Sequence, residues 1–422
     1  MSKQRFVPLP RDPQTARIAG FTHGAEGVAR IEGKAVFVPG ALPGELVELR
    51  VVDDRARWAR AELLAVLEPS PDRVEPPCPY VPACGGCDLQ HAAPAAQRRL
   101  KTRVVREQLM RLGKVPDPRV EPCRAVGPDT GYRNHAQFHA APDGRLGFHR
   151  SGTHEVVPID RCLVLGDAAQ AVRDAVGDAS GAVEVAVRAH EHTGAAAAIL
   201  TPGTGGLDLP AGSFDLLLEQ PDGRTVPIRG TGELTEEVAG LRFRFAATAF
   251  FQVTTDGAAA LVDEVLVAAG DVRGALTWDL YAGVGLLSLA LARAGAEVVA
   301  VEGHAPAAAG AAANAEENEL ELRVLAEPVG EVVRRAAAGG DGDLEPPDVV
   351  VLDPPRSGAG QAIVDDLIRL APATIVYVAC DVAALARDTA LLVGGGYRLV
   401  RAVPLDLFPM THHVEVVATF AA

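Results

Sequence analysis

Two residues near the C-terminus could carry covalent chemistry. Cys380 closes the apolar, β-branched run TIVYVAC, which reads as a buried strand ending on a thiol. A packing cysteine would sit more naturally mid-strand, among Ile375, Val376 and Val378. At the strand's end a thiolate is useful, and a helix starting at Val382 would lower its pKa. Asp381, next in sequence, would raise that pKa if its charge pointed inward. Glu415 lies between Val414 and Val416 in the run HHVEVVATF. A carboxylate in such a strand either faces outward or is a general base tuned by partial burial.

Two further motifs suggest a ligand at the same edge. In DLYAGVG, Asp279 to Gly285, the glycines Gly283 and Gly285 allow close backbone approach between a strand and a helix. Leucines follow Gly285, so the dinucleotide fingerprint is missing, while Glu302 ends the next strand where a carboxylate can accept from two ribose hydroxyls. An adenosyl ligand without pyrophosphate fits better than a dinucleotide. VVVLDPPRSG puts Asp353 and two prolines at the mouth of the following strand, either as a rigid turn or as a loop whose free carbonyls face a ligand. A thiol, a carboxylate and an adenosyl site at one sheet edge define a reaction class. The thiolate adds to an electron-poor ring, the adjacent carbon takes a methyl group, and a base removes the proton.

A separate set of cysteines reads as a metal site. Cys78, Cys84 and Cys87 form C-x5-C-x2-C in a Pro- and Gly-rich stretch, with Cys162 as a candidate fourth ligand. Zinc and a [4Fe–4S] cluster both accept four thiolates, and the uneven spacing leans toward iron–sulfur. Cys123 has no assigned role.

The elements that must position these groups can be outlined. At 422 residues and a net charge of −15, the chain calls for two or three domains and excludes a protein uniformly coated with positive charge. Residues 12–68 alternate short β-like runs with Gly and Pro turns, as in a small β-barrel. Residues 69–250 hold the cysteines, a basic helix at Gln97 to Leu112, and mostly strands, with one helix around Gly166 to Val176. On that basic helix Leu100, Val104 and Leu109 make the buried face, and Arg99, Lys101, Arg103 and Arg106 point mostly away from it. That charged face is a solvated surface on a packed helix or a local contact for a negatively charged partner. Residues 251–422 alternate strand and helix, which specifies a doubly wound parallel sheet, with two closing strands as an antiparallel edge hairpin. The N-terminus from Met1 to Gln14 has no apolar core or cleavage site and no long apolar span occurs, so a cytoplasmic protein without membrane contact is expected.

With these residues in place, the chain resembles the RNA uracil-C5 methyltransferases. THGAEGVARIEGKAVFVPGALPGELVELRV is similar to the TRAM barrel, the four cysteines match the iron–sulfur branch, and GYRNHAQFH through PIDRCLVL resembles the central domain. AFFQVT, WDLYAGVG, VEG, LDPPRSG, YVACDVAALARD and FPMTHHVE match the catalytic domain in order. The resemblance implies that Cys380 attacks carbon 6 of uracil and Glu415 removes the carbon 5 proton. It also implies that Gln252, Tyr281, Gly283, Gly285, Glu302 and Asp353 hold S-adenosylmethionine, that Cys78, Cys84, Cys87 and Cys162 hold a [4Fe–4S] cluster, and that the partner is RNA bound by a monomer. 23S rRNA is favoured because the tRNA branch usually lacks both cluster and barrel; a tRNA enzyme that kept both, or a non-catalytic RNA-binding protein on a decayed scaffold, are the alternatives. Three stretches depart from the family's pattern: Leu286 stands where the rRNA enzymes carry Asn, CDV where CNP is common, and AEPVGEVV where a polar adenine contact is usual.

Overall fold

The computed structural model describes residues 9–178, 181–339 and 344–422, so Met1 to Pro8 of the N-terminal stretch read above lie outside it. Six strands open the chain: β1 Gln14–Arg17, β2 Gly20–Phe21, β3 Glu26–Ile31, β4 Lys34–Pro39, β5 Leu46–Asp54 and β6 Trp58–Glu68. They form one sheet in the order β1-β5-β6-β4-β3-β2. Alternation places Val36, Val38, Val47, Leu49 and Val51 in a single apolar core. The β3–β4 turn uses Glu32 and Gly33, both at positive φ (50° and 80°), the geometry that matches strand twist in a two-residue hairpin.

Next comes α1, Pro94–Arg111, which starts on a proline at its first turn, where the missing N–H costs nothing. The short β7, Arg124–Ala125, precedes the middle sheet: β8 His135–Ala140, β9 Leu146–His149, β10 Val156–Pro158, α2 Asp167–Val176, β11 Ala182–Ala189, β12 Ala196–Pro202, β13 Asp215–Glu219 and β14 Thr225–Arg229. These strands run in the order β10-β9-β8-β11-β12-β13-β14, with α2 packed on β11 and β12. The hairpin of β15 Glu233–Val238 and β16 Leu241–Ala246 is a sheet of its own.

The remaining elements are α3 Thr255–Ala269, β17 Leu276–Leu280, α4 Leu286–Arg293, β18 Glu297–Val301, α5 Ala305–Glu317, β19 Arg323–Leu325, α6 Val329–Ala337, β20 Val349–Leu352, α7 Gln361–Leu370, β21 Thr374–Ala379, α8 Val382–Gly394, β22 Arg398–Asp406 and β23 Glu415–Ala421. The sheet order is β19-β18-β17-β20-β21-β23-β22-β7. β17 to β21 are parallel, and β23 enters antiparallel between β21 and β22. The closing hairpin is therefore not a free edge: β23 is interior, and β7 pairs along β22. Because helices cover both faces, successive strand residues feed opposite cores. Trp278, Val350, Leu352, Ile375 and Tyr377 pack on one side, and Val349, Val351, Val376 and Val378 on the other. Among the described residues no helix is long and apolar enough to cross a membrane.

The basic helix differs from expectation. Lys101 is 3% exposed, and its Nζ lies 2.5 Å from Asp406 Oδ1 on β22. Arg98 pairs with Asp129 at 2.8 Å and reaches Asp406 at 3.5 Å. Arg99 pairs with Asp72 at 2.6 Å, Arg103 with Glu107 at 2.7 Å, and Arg106 donates to the Val120 carbonyl at 3.0 Å. Acids of the same chain meet Arg98, Arg99, Lys101 and Arg103, and a backbone carbonyl meets Arg106, which argues against a bare positive face offered to RNA.

Candidate active site

Cys380 stands one residue beyond β21, and Glu415 opens β23. The last registered pair of those antiparallel strands is Ala379 with Val416, so the next step along the ladder sets Cys380 opposite Glu415. Asp353 follows β20, the other neighbour of β21. Burial, then the charges of Glu415 and Asp353, push the Cys380 thiol up to about 11, against a lowering influence from Arg356. Glu415 is 4% exposed, its Oε1 is buried with no hydrogen-bond partner among the described residues, and burial and the Asp353 charge raise its pKa well above the carboxylate range. Burial and then Asp279 push Asp353 to about 7, and burial likewise pushes Asp279 to about 7. A file of acids, Asp279, Asp353 and Glu415, thus ends at the thiol, with little positive charge to relieve it.

Asp381 does not contribute to the thiol's shift. It is the N-cap of α8, and its Oδ1 accepts from the Ala384 amide at 2.7 Å, so its charge serves the helix it precedes. Leu286 opens α4 as a buried member of the apolar core, which accounts for a leucine at that position. In AEPVGEVV, Glu327 pairs twice with Arg335, at 2.8 and 3.1 Å, at the start of a helix the sequence reading omitted.

The ligand motifs meet at the same sheet edge. Glu302 Oε2 accepts from the Gly283 amide at 2.9 Å and Oε1 from the His304 amide at 2.7 Å, tying the β17 loop to the end of β18. Each oxygen keeps a lone pair for a ligand. Gly283 has φ 56°, and a Cβ built there would meet nothing within 4 Å, so the backbone faces open space. Gly285, φ 93°, is different: a Cβ there would press on Leu289 at 2.7 Å, so this glycine is needed for packing. Tyr281, at φ 66°, is half-buried. Gln252 is buried in the segment before α3, where its carbonyl accepts from Asn134 Nδ2 at 3.2 Å.

Two residues were missed from the sequence. Arg356 lies in the quoted LDPPRSG and is the cation whose charge reaches Cys380. Asp388 accepts from the Ala359 and Gly360 amides at 2.8 and 3.3 Å and from the Tyr377 hydroxyl at 2.6 Å, and a Cβ on Gly358 would meet it at 2.7 Å. It ends the motif CDVAALARD, and helical spacing from Cys380 was the signal that could have placed it near the LDPPRSG loop.

Cys78, Cys84, Cys87 and Cys162 line one cavity of about 210 Å³, together with Tyr80, Gln90 and Arg133. All four are free thiols. Burial, followed by the other thiols' charges, pushes Cys87 up to about 12 and raises Cys84. Among the described residues no group of three or more His, Cys, Asp or Glu is arranged to hold a metal ion, so the expected iron–sulfur site is present as a convergence of thiols and not as a formed ligand shell. Cys123 is buried in the catalytic core.

An open parallel sheet with one reversed strand, β23, carries at its edge a glycine turn after β17 that is tied to an acid ending β18, an architecture that S-adenosylmethionine-dependent methyltransferases share. A family model described as tRNA (Uracil-5-)-methyltransferase matches residues 233–420, and the TRAM domain matches residues 10–64. An uncharacterized RNA methyltransferase from Streptomyces avermitilis is 37% identical over 95% of this chain and 96% of its own. The 23S rRNA (uracil(1939)-C(5))-methyltransferase of Aeromonas salmonicida is 32% identical over 99% of both chains. The solved structure of Pyrococcus abyssi tRNA (uracil-54, C5)-methyltransferase with S-adenosyl-L-homocysteine superposes with a TM-score of 0.75 over 96% of this chain and 99% of that one; at 24% identity it shows the shared fold. The chain belongs to the S-adenosylmethionine-dependent RNA uracil-C5 methyltransferases.

Proposed function

We propose that this chain methylates carbon 5 of a uridine in 23S rRNA, with Cys380 as nucleophile and Glu415 as base. The observation that carries the reading is the cross-strand register of Cys380 against a buried Glu415 whose Oε1 has no hydrogen-bond partner among the described residues, beside Asp353. The thiolate forms a bond to carbon 6, and the electrons of the 5,6 double bond move into the ring as an enolate. S-adenosylmethionine supplies the methyl group from a sulfonium centre. Carbon 5 takes that methyl as the sulfur–methyl bond breaks; Glu415 then accepts the carbon 5 proton, the double bond re-forms and the Cys380–carbon 6 bond breaks. Open space over Gly283, the spare lone pairs of Glu302 and the half-buried Asp353 fit an adenosyl ligand, with Tyr281 and Gln252 completing the cradle and Gly285 letting the turn pack on Leu289. Target uridines buried in RNA structure must be extruded to reach such an edge.

The cavity between Cys78, Cys84, Cys87 and Cys162 is larger than one ion needs and is lined by four thiols, which supports a [4Fe–4S] cluster that braces this segment. Together with the TRAM barrel, those thiols favour rRNA; the reading of a tRNA enzyme is supported by the shared architecture of the Pyrococcus abyssi protein. Incubating the protein and methyl-labelled S-adenosylmethionine with unmodified 23S rRNA and tRNA transcripts separates them. Label in 23S rRNA, abolished by Cys380→Ala in a protein that keeps its unfolding midpoint, is the expected result. Label confined to tRNA overturns the substrate, and an active Cys380→Ala variant overturns the mechanism.

A further inference from the structure

The turn that delivers Glu415, residues 407–414 between β22 and β23, is held chiefly by residues more than 250 positions earlier in the chain. Met410 adopts φ 68°, a left-handed conformation that a side chain resists. Its carbonyl accepts from the amides of Asp88 and Leu89, at 3.2 and 3.0 Å, and its amide donates to Gln97 Oε1 at 2.8 Å. Asp88 does more: its Oδ1 accepts from the His412 amide at 2.8 Å, and its Oδ2 pairs with His412 Nδ1. Tyr132 and Lys101 add bonds to the carbonyls of Pro409 and Phe408. Asp88 directly follows Cys87, and the Met410 side chain packs with Tyr132, Val164, Cys87 and Cys162. The four-cysteine segment and the approach to Glu415 are therefore one hydrogen-bonded unit.

We propose that Asp88 is a positioning residue for the last step of the reaction. Through it the cysteine segment sets where Glu415 stands, so loosening this contact slows proton removal from carbon 5 and leaves methyl transfer largely intact. The inference rests on Glu415 being the base. His412 and Met410 lie within five residues of Glu415, and Asp88 is the residue of the cysteine segment whose side chain bonds His412, so a shift of the turn moves the carboxylate against a ring held covalently by Cys380. The order of steps gives this a signature. If the proton cannot leave, the Cys380–carbon 6 bond cannot break, and a methylated protein–RNA adduct persists.

Full-length wild type, Asp88→Ala, Asp88→Asn, His412→Ala and Glu415→Gln would be mixed with labelled S-adenosylmethionine and whichever of the 23S rRNA or tRNA transcripts the wild type labels. Single-turnover labelling reports methyl transfer, and label retained with protein on a denaturing gel reports the adduct. Asp88→Ala is expected to slow release about 10- to 100-fold, the scale of a small misplacement, with labelling within a few-fold of wild type. Asp88→Asn, which keeps an acceptor for the His412 amide and a partner for its ring, is expected to restore release. Glu415→Gln must trap adduct; if it does not, Glu415 is not the base and the inference falls with that reading. Adduct in Glu415→Gln but wild-type release in Asp88→Ala overturns the positioning role alone. So does an Asp88→Asn variant as impaired as Asp88→Ala. Should Asp88→Ala not fold, His412→Ala decides: it removes the ring's bond to Asp88 Oδ2 while the amide's bond to Oδ1 stays, so a smaller slowing of release is expected, and normal release in it refutes the proposal.

Discussion

A thiol held near 11 is a poor nucleophile at neutral pH, and the site itself shows what would change that. The shift on Cys380 comes from burial and from two carboxylates, Glu415 and Asp353, against one opposing cation, Arg356. A sulfonium placed beside Asp353 adds positive charge to a half-buried site, and positive charge favours the thiolate, so the Cys380 pKa falls when the methyl donor binds. The same charge draws Asp353 and Glu415 down toward the ionised forms a base requires. The expected outcome is that alkylation of Cys380, followed by peptide mass spectrometry across pH, titrates near 11 in the free protein. With S-adenosylmethionine it should titrate lower, and lower than with S-adenosylhomocysteine, which lacks the sulfonium charge. Equal midpoints with the two ligands would contradict the charge-relief account. Asp381 plays no part in this, since its carboxylate caps α8, and Asp381→Asn is compatible with an unchanged midpoint.

At the scale of elements, α1 is anchored to the catalytic sheet by charge as well as by apolar packing. Lys101 and Asp406 are both buried, and Lys101 also donates to the Phe408 carbonyl at 3.0 Å. Replacing Lys101 with methionine keeps most of the stem but leaves Asp406 with only the longer contact to Arg98. Breaking a buried pair from one side costs about 3–5 kcal/mol, so Lys101→Met should lower the urea midpoint clearly, while Arg103→Met, which removes an exposed pair with Glu107, should change it little. This pair also marks the limit of what the sequence could reveal. Periodicity placed Leu109 and Val104 on the buried face correctly, and the strand-helix alternation after residue 250 gave the parallel sheet with helices between its strands, where α5, α7 and α8 are found. It could not show that Lys101 turns inward, because the reason is a carboxylate 305 residues later. The insertion of β23 between β21 and β22 was likewise invisible, since hairpin pairing says nothing about which strand faces the parallel sheet. Cys380 was legible as a thiol at a strand's end and Glu415 as a carboxylate within an apolar strand, which it in fact opens; their opposition across a ladder depended on that insertion.

At the scale of the molecule, three stretches that fold far apart in sequence meet at the cysteine cavity. Cys78, Cys84 and Cys87 come from the connection between barrel and α1, Cys162 follows the middle sheet's β10, and Met410 belongs to the catalytic hairpin. Anything held by the four thiols in the folded protein alone stabilises that meeting point, and the effect is local because the barrel has its own apolar core of Val36, Val38, Val47 and Leu49. Hydrogen exchange distinguishes the two regions, because a segment's amides exchange at the rate its own contacts open. In Cys84→Ser, the amides of Asp88, Leu89, Met410 and His412, all donors across this junction, should exchange faster than in the wild type. The amides of β4 and β5 should exchange as before. Protection lost equally in the barrel would mean that the cysteine segment supports the whole chain. Protection unchanged at Met410 and His412 would mean that the thiols brace nothing beyond their own loop, and the path from the cysteine cavity to Glu415 would be broken at its first link.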